Sequence, residues 1–228
     1  MTKLLWDQVG QRTYETGVSK GTLFTQKNDG QYENGVAWNG LVSVTKTPEG
    51  GEDNPIYADN MKYLSLTSAE NLNGSISAYT YPDEFEACDG SKEVTPGLFV
   101  GQQTRVPFAL AYITIVGNDT QGNAYSEKLH IIYNAKVSPS ERSYETVNDS
   151  PSAITFSWDF TTTPVDLSDI GLNASGGVVI EKNTVGLSVW NSIINKIHGS
   201  VTEEPTLPTI QELVTMINAG ITTTTTTI

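Results

Sequence analysis

Phe108-Ala109-Leu110-Ala111-Tyr112-Ile113-Thr114-Ile115-Val116 and the run from Tyr125 to Val137 stand on either side of Gly117-Asn118-Asp119-Thr120-Gln121-Gly122-Asn123. Two β-forming runs around residues that tolerate positive φ predict an antiparallel hairpin. Further along, Ala153 to Thr161 sets Ile154, Phe156, Trp158 and Phe160 against Thr155, Ser157, Asp159 and Thr161. Large apolar residues at every second position describe a strand with one buried face. Upstream, Ser75 to Tyr81 sets Ile76, Ala78 and Thr80 against Ser75, Ser77, Tyr79 and Tyr81. Met61 to Thr67 sets Met61, Tyr63, Ser65 and Thr67 against Lys62, Leu64 and Leu66. Val36 to Thr47 is rich in β-formers around Trp38-Asn39-Gly40. Short strands separated by turn signals from residue 13 to about 163 predict a sandwich or barrel.

Helical patterns flank this region. Pro82-Asp83-Glu84-Phe85-Glu86-Ala87-Cys88 places Pro and acids in a first turn ahead of Asp89-Gly90 as a stop. Val185 to His198 carries Leu187, Trp190, Ile193, Ile194 and Ile197 at helical spacing, with Gly199 beyond. After the connector Glu203 to Pro208, Ile210, Leu213, Val214 and Ile217 repeat the pattern, and Thr209 with Glu212 reads as a capping box. The six threonines Thr222 to Thr227 are β-branched and predict a frayed or extended end. The expected fold is therefore mainly β, an antiparallel sandwich or barrel-like domain with a short flanking helix and one or two C-terminal helices. Residues 1–182 form the β domain with its N-terminal arm, and residues 183–228 a helical appendage.

One connection is longer than its neighbours. Thr47-Pro48-Glu49-Gly50-Gly51-Glu52-Asp53-Asn54-Pro55-Ile56-Tyr57-Ala58-Asp59-Asn60 joins two well-patterned strands through turn-forming and acidic residues. So long a loop inside a compact domain carries a contact or is disordered. Ile56 and Tyr57 favour the contact.

The chain has 26 acidic and 13 basic residues, a formal net charge of -13. DNA and anionic membranes repel such a surface, and Lys and Arg are scattered singly rather than grouped into a basic patch. A single cysteine, Cys88, allows no intrachain disulfide and suits a reducing compartment. Met1 to Asp7 has no apolar run of signal-peptide length, and no stretch reaches membrane-spanning length, so a chain made and kept soluble in a cytoplasm is expected.

Catalytic chemistry finds little to work with. Of two histidines, His130 reads as a half-exposed strand residue and His198 as a cation suited to a helix C-terminus. Two histidines and one cysteine cannot assemble an ordinary zinc site. A Ser-His-acid triad is arithmetically possible, but no Gly-x-Ser-x-Gly elbow accompanies it. Gly171 to Gly177 precedes a short strand instead of leading from a strand into a helix, so it is no phosphate loop. The acids Asp83, Glu84, Glu86, Asp89 and Glu93 lack the spacing of a calcium loop and read as a solvated face. No catalytic, cofactor-binding or metal-binding residue is expected.

Several stretches resemble those of phage major tail proteins, the tail tube proteins of long-tailed, siphovirus-type bacteriophages. They are Lys3-Leu4-Leu5-Trp6-Asp7-Gln8-Val9-Gly10, Val36-Ala37-Trp38-Asn39-Gly40, Tyr57-Ala58-Asp59-Asn60 and Ala78-Tyr79-Thr80-Tyr81-Pro82-Asp83-Glu84-Phe85, followed by Gly101-Gln102-Gln103-Thr104-Arg105, Asn148-Asp149-Ser150-Pro151, Thr155-Phe156-Ser157-Trp158 and Thr162-Thr163-Pro164-Val165. Each is short; eight in the same order over residues 1 to about 198 is specific. The terminal threonine run departs from the family's pattern.

The resemblance implies a β-sandwich subunit that joins copies of itself into rings, usually hexameric, stacked as a hollow tube in the virion tail. It implies assembly in the bacterial host cytoplasm, with the tape measure protein and other tail proteins as partners. The genome would pass through the lumen without specific binding, and no membrane is involved. In similar proteins the long loop reaches the neighbouring ring, which here designates Pro48, Glu49, Gly50, Gly51, Glu52, Asp53, Asn54, Pro55, Ile56 and Tyr57 as contact residues. Two other classes fit a soluble β protein: a receptor-binding or adhesion module on a virion or cell surface, and a hydrolase of unrecognised type. The first would favour disulfides or an export signal, and the second needs a cleft with a nucleophile and base in reach.

Overall fold

The structure, a computed structural model, describes residues 3–147, 149 and 152–225, with side chains to residue 220. Its central hairpin is the one the sequence announces. Strand β9 (Phe108–Asn118) pairs antiparallel with β10 (Gly122–Val137). Asn118 builds the turn, its Oδ1 accepting the backbone N–H groups of Thr120 at 3.2 Å and Gln121 at 2.6 Å, while Gly122 takes φ 56°. An Asn side chain mimicking a backbone turn is the reason for this composition.

Other strands extend from the hairpin. On the free side of β9 lies β1 (Thr13–Thr25), and beyond it β2 (Val36–Trp38). On the other side β10 changes partner along its length. Lys128 to Ile132 pairs with β12 (Gly177–Glu181), and Ala135 to Val137 pairs with β11 (Phe156–Thr162). The switch occurs at Asn134, held at φ 48°, where Tyr32 Oη donates to Asn134 Oδ1 at 2.7 Å and accepts its N–H at 3.1 Å. Asn is among the few residues that occupy the left-handed region at low cost. From β11 the sheet continues through β6 (Glu70–Ala78) to β3 (Leu41–Gly50), giving the order β2-β1-β9-β10-β11-β6-β3 with β12 beside β10. The sheet curls until β3 touches β1, without closing a barrel. The chain is mainly β and sandwich-like, as expected.

Curling makes two cores. Inside the curl, Trp158, Phe160, Ile76, Leu110, Ile132 and Leu23 meet Trp38, Phe85 and Cys88. Phe85 and Cys88 come from the expected short helix, a 3-10 turn Asp83–Phe85 leading into α1 (Glu86–Asp89), stopped by Gly90 at φ 87°. Trp158 lies edge-on to Phe85 at 5.1 Å and to Tyr81 at 5.3 Å. Gly74 permits this packing, because a Cβ there would sit 2.0 Å from the Thr45 carbonyl and 2.7 Å from the Phe160 ring. The outer face of the same strands, with Ala109, Ala111, Ile113, Leu129 and Ile131, is covered by helices. Those helices are α2 (Lys182–Val185), which contributes the partly buried Val185, and α3 (Leu187–His198) and α4 (Ile210–Thr225), which contribute Trp190, Ile193, Ile197, Ile210 and Leu213.

Local expectations meet several corrections. The expected strand Val36 to Thr47 is broken at Asn39-Gly40, where Gly40 has φ 73°. The expected strand at Ala153 begins at Phe156, leaving Ile154 exposed. Val185 belongs to α2, and Gly186 at φ 81° separates it from α3. Thr209 and Glu212 do form the capping box, at 3.1 and 3.2 Å. Thr222 to Thr225 continue α4 rather than fraying, since each added turn costs far less than the nucleus already formed. Thr226 and Thr227 lie outside the described residues, as do Asn148, Ser150 and Pro151 of one quoted motif.

Candidate functional site

The stretch read as a long loop is ordered β structure. Pro48, Glu49 and Gly50 belong to β3, opposite Leu72, Asn71 and Glu70 of β6. Gly51 and Glu52 form a joint, with Gly50 at φ 98° and Gly51 at φ 70°. Ser68 N–H donates to the Glu52 carbonyl at 3.1 Å, and Ser68 Oγ accepts the Glu52 N–H at the same distance. Asp53, Asn54, Pro55, Ile56 and Tyr57 then enter β4 (Asp53–Ala58), which pairs antiparallel with β5 (Met61–Thr67). Asp59 at φ 52° and Asn60 at φ 60° make the two-residue turn. Positive φ at both central positions is the turn whose twist suits a hairpin.

Prolines and paired glycines disguised this ribbon. Pro is excluded from central strands because it lacks an N–H, but β3 is a sheet edge and β4 pairs on one side only. The Asp59-Asn60 turn was the signal that could have revealed it.

The register decides what the hairpin presents. Asn54 faces Leu66, Ile56 faces Leu64 and, after a bulge at Tyr63, Ala58 faces Met61. The bulge puts Met61, Leu64 and Leu66 on one side together with Ile56, correcting the simple alternation that grouped Met61 with Ser65. The opposite side carries Asp53, Pro55, Tyr57, Ser65 and Lys62, and Lys62 Nζ pairs with Asp53 Oδ2 at 2.7 Å. Lys62 and then Ser65 hold the Asp53 carboxyl below its ordinary range. Every residue of both strands is exposed, Leu64 least at 38% and Tyr63 most at 70% among the large apolar ones. Two-stranded hairpins in water are marginal by themselves, so a one-sided apolar ribbon about 20 Å long requires a cover. A smaller hairpin, β7 (Lys92–Thr95) with β8 (Leu98–Val100), similarly exposes Val94, Leu98 and Phe99.

The remaining candidates fall elsewhere. His198 is half-buried near Lys20, and burial followed by that charge pushes its pKa down, disfavouring the cation expected at the helix end. His130 is buried, not half-exposed, because β3 folds over it. The acids of the first helix are not simply solvated: Glu86 accepts from Tyr81 Oη at 2.9 Å, and Asp89 pairs with Arg142. Among the described residues no three His, Cys, Asp or Glu side chains group as metal ligands would, and no helix is long and apolar enough to cross a membrane.

No curated protein matches the chain. A protein-family model described as phage tail tube protein matches residues 16–198, which include the curled sheet but for the first three residues of β1, the exposed ribbon and the helix α3. Tail tube proteins are structural components of the virion tail that self-assemble into the tube. A curled antiparallel sheet carrying an uncovered apolar ribbon is a form suited to that role, and the chain belongs to the phage tail tube protein family.

Proposed function

We propose that this chain is a non-enzymatic tube subunit that closes into rings, hexameric as in similar proteins, and stacks them through the β4–β5 ribbon. The observation that carries the proposal is the apolar face of the ribbon, Ile56, Leu64, Leu66 and Met61, which nothing among the described residues covers. A subunit whose donor surface differs from its acceptor surface propagates copy after copy instead of stopping at a dimer. In this reading Asp53 to Tyr57 make the contact between rings, Gly51 and Glu52 set its angle, and Pro48, Glu49 and Gly50 form its root. The tape measure protein and other tail proteins are the remaining partners, and assembly takes place in the host cytoplasm. Residues 1–182 supply the wall and residues 183–228 its helical support. The net charge of -13 keeps DNA from adhering during delivery, since a phosphate approaching the wall meets like charge.

Deleting the ribbon tests the proposal. Residues 51–69 are replaced by an Asn-Gly turn that joins Gly50 to Glu70, which already face each other in the ladder. The folded variant should form no tubes by electron microscopy under conditions where the parent does. Tubes of normal length and rate would refute the docking role.

A further inference from the structure

Polar side chains from five strands close the end of the inner core where the ribbon departs. Lys46 Nζ lies 3.1 Å from His130 Nδ1. An ammonium can only donate, so Nδ1 accepts and the ring proton sits on Nε2. Nε2 is 2.9 Å from Thr114 Oγ1 and 3.2 Å from Glu15 Oε1, and the Thr114 hydroxyl donates to the same Glu15 oxygen at 2.7 Å. The imidazole lies flat on Tyr112, centroids 4.8 Å apart, and the Lys46 ammonium stands 5.6 Å from that ring's centre. Lys128 completes the set by bridging Glu15 at 3.1 Å and Glu181 at 3.2 Å. These are the charged and titratable groups facing His130 from β1, β9, β10, β12 and β3.

Only Lys46 belongs to the ribbon's root. It pairs with Gly74 of β6, and the pairing of β6 with β11 ends one residue further on, at Asn73. Past that point the Leu72 carbonyl still accepts the Thr162 hydroxyl at 2.7 Å, and beyond it β3 and β6 leave the sheet together. A groove of about 810 Å³, lined by Lys46, Leu72, Gly176, Gly177 and Val179 among others, separates the root from β12.

We propose that Lys46 and His130 form a proton-gated clasp: neutral His130 holds the ribbon's root against the body, and protonated His130 releases it. Protonation would remove the acceptor and leave two cations 3.1 Å apart. Burial first and Lys46 second hold the His130 pKa below its ordinary value of 6.5, against the opposing pull of Glu15. A depressed folded pKa means the contact is complete above 6.5 and is lost as pH falls from there through the folded value. Its consequence for tube formation rests on the docking role proposed above; the clasp itself does not.

The test follows backbone amide exchange in the soluble, unassembled chain, corrected for intrinsic rates, at about pH 7.5 and about pH 5. Protection of residues 45–50 and 70–74 should fall between the two, while that of residues 129–132 holds. His130→Gln presents a non-titrating acceptor to Lys46 and a donor to Glu15, and should keep the root protected at both pH values. Lys46→Met should leave it unprotected at both and raise the His130 pKa in an NMR titration, a readout that stands even if the Gln variant fails to fold. A His130 pKa at or above 6.5 in the parent, or loss of root protection with pH in His130→Gln, would overturn the clasp. If root protection responds to pH while tube formation does not, the docking reading fails and the clasp stands.

Discussion

Replacing Ile56, Leu64 and Leu66 together by Thr tests whether the apolar face of the ribbon drives association. The three side chains are 44%, 38% and 56% exposed, so roughly half of each remains to be covered by a neighbour. Burying a whole Leu or Ile side chain is worth about 1.5–3 kcal/mol, which makes the remaining half of each about 1 kcal/mol. Three of them supply about 3 kcal/mol per subunit contact, on the order of a hundredfold in the association constant. The monomer should be nearly indifferent, because solvent-facing substitutions change stability by about 0.5 kcal/mol each and Thr favours strands. Critical concentration, measured by sedimentation and light scattering with electron microscopy of the pellet, should rise by on the order of a hundredfold. Thermal unfolding of the dilute chain should move by no more than a few degrees. An Ile56→Val, Leu66→Ile control should assemble almost normally. A triple variant with a critical concentration within threefold of the parent would refute the reasoning, because the ribbon would then be covered by nothing that matters to assembly.

Three further outcomes concern the folded subunit. Trp158→Ala removes the ring on which Phe85, Tyr81 and Trp38 converge, and should cost about 3–5 kcal/mol by denaturant titration; a cost below 1 kcal/mol would contradict the aromatic core. Thr209→Ala deletes one half of the capping box and should cost about 1 kcal/mol, whereas Glu212→Gln, still able to accept the Thr209 N–H, should cost less. Burial, aided by Asp89, pushes the Cys88 thiol up to about 12, so it stays protonated at pH 8 and should react with iodoacetamide only as fast as the chain opens. Labelling at the rate of a free thiol in the folded chain would place Cys88 outside the inner core.

The sequence by itself determined the hairpin of β9 and β10, the alternation in β11, the first short helix, the capping box of α4 and the absence of any familiar catalytic motif. These are local properties. Turn chemistry, a period of two or 3.6 and reciprocal cap bonds are written into residues a few places apart, and eight short motifs in order were enough to suggest the family. Tertiary structure decided the rest. Pro48, Pro55 and Gly50-Gly51 read as loop because they break central strands, and only the position of β3 at the sheet edge makes them acceptable in a ribbon. The side on which Met61, Leu64 and Leu66 appear depends on a bulge at Tyr63 that simple alternation cannot show. His130 looked half-exposed because neighbours in sequence cannot reveal that Lys46, 84 residues away, closes over it. Burial and register belong to the folded sheet, and they convert a plain acidic loop into an apolar ribbon anchored at its root.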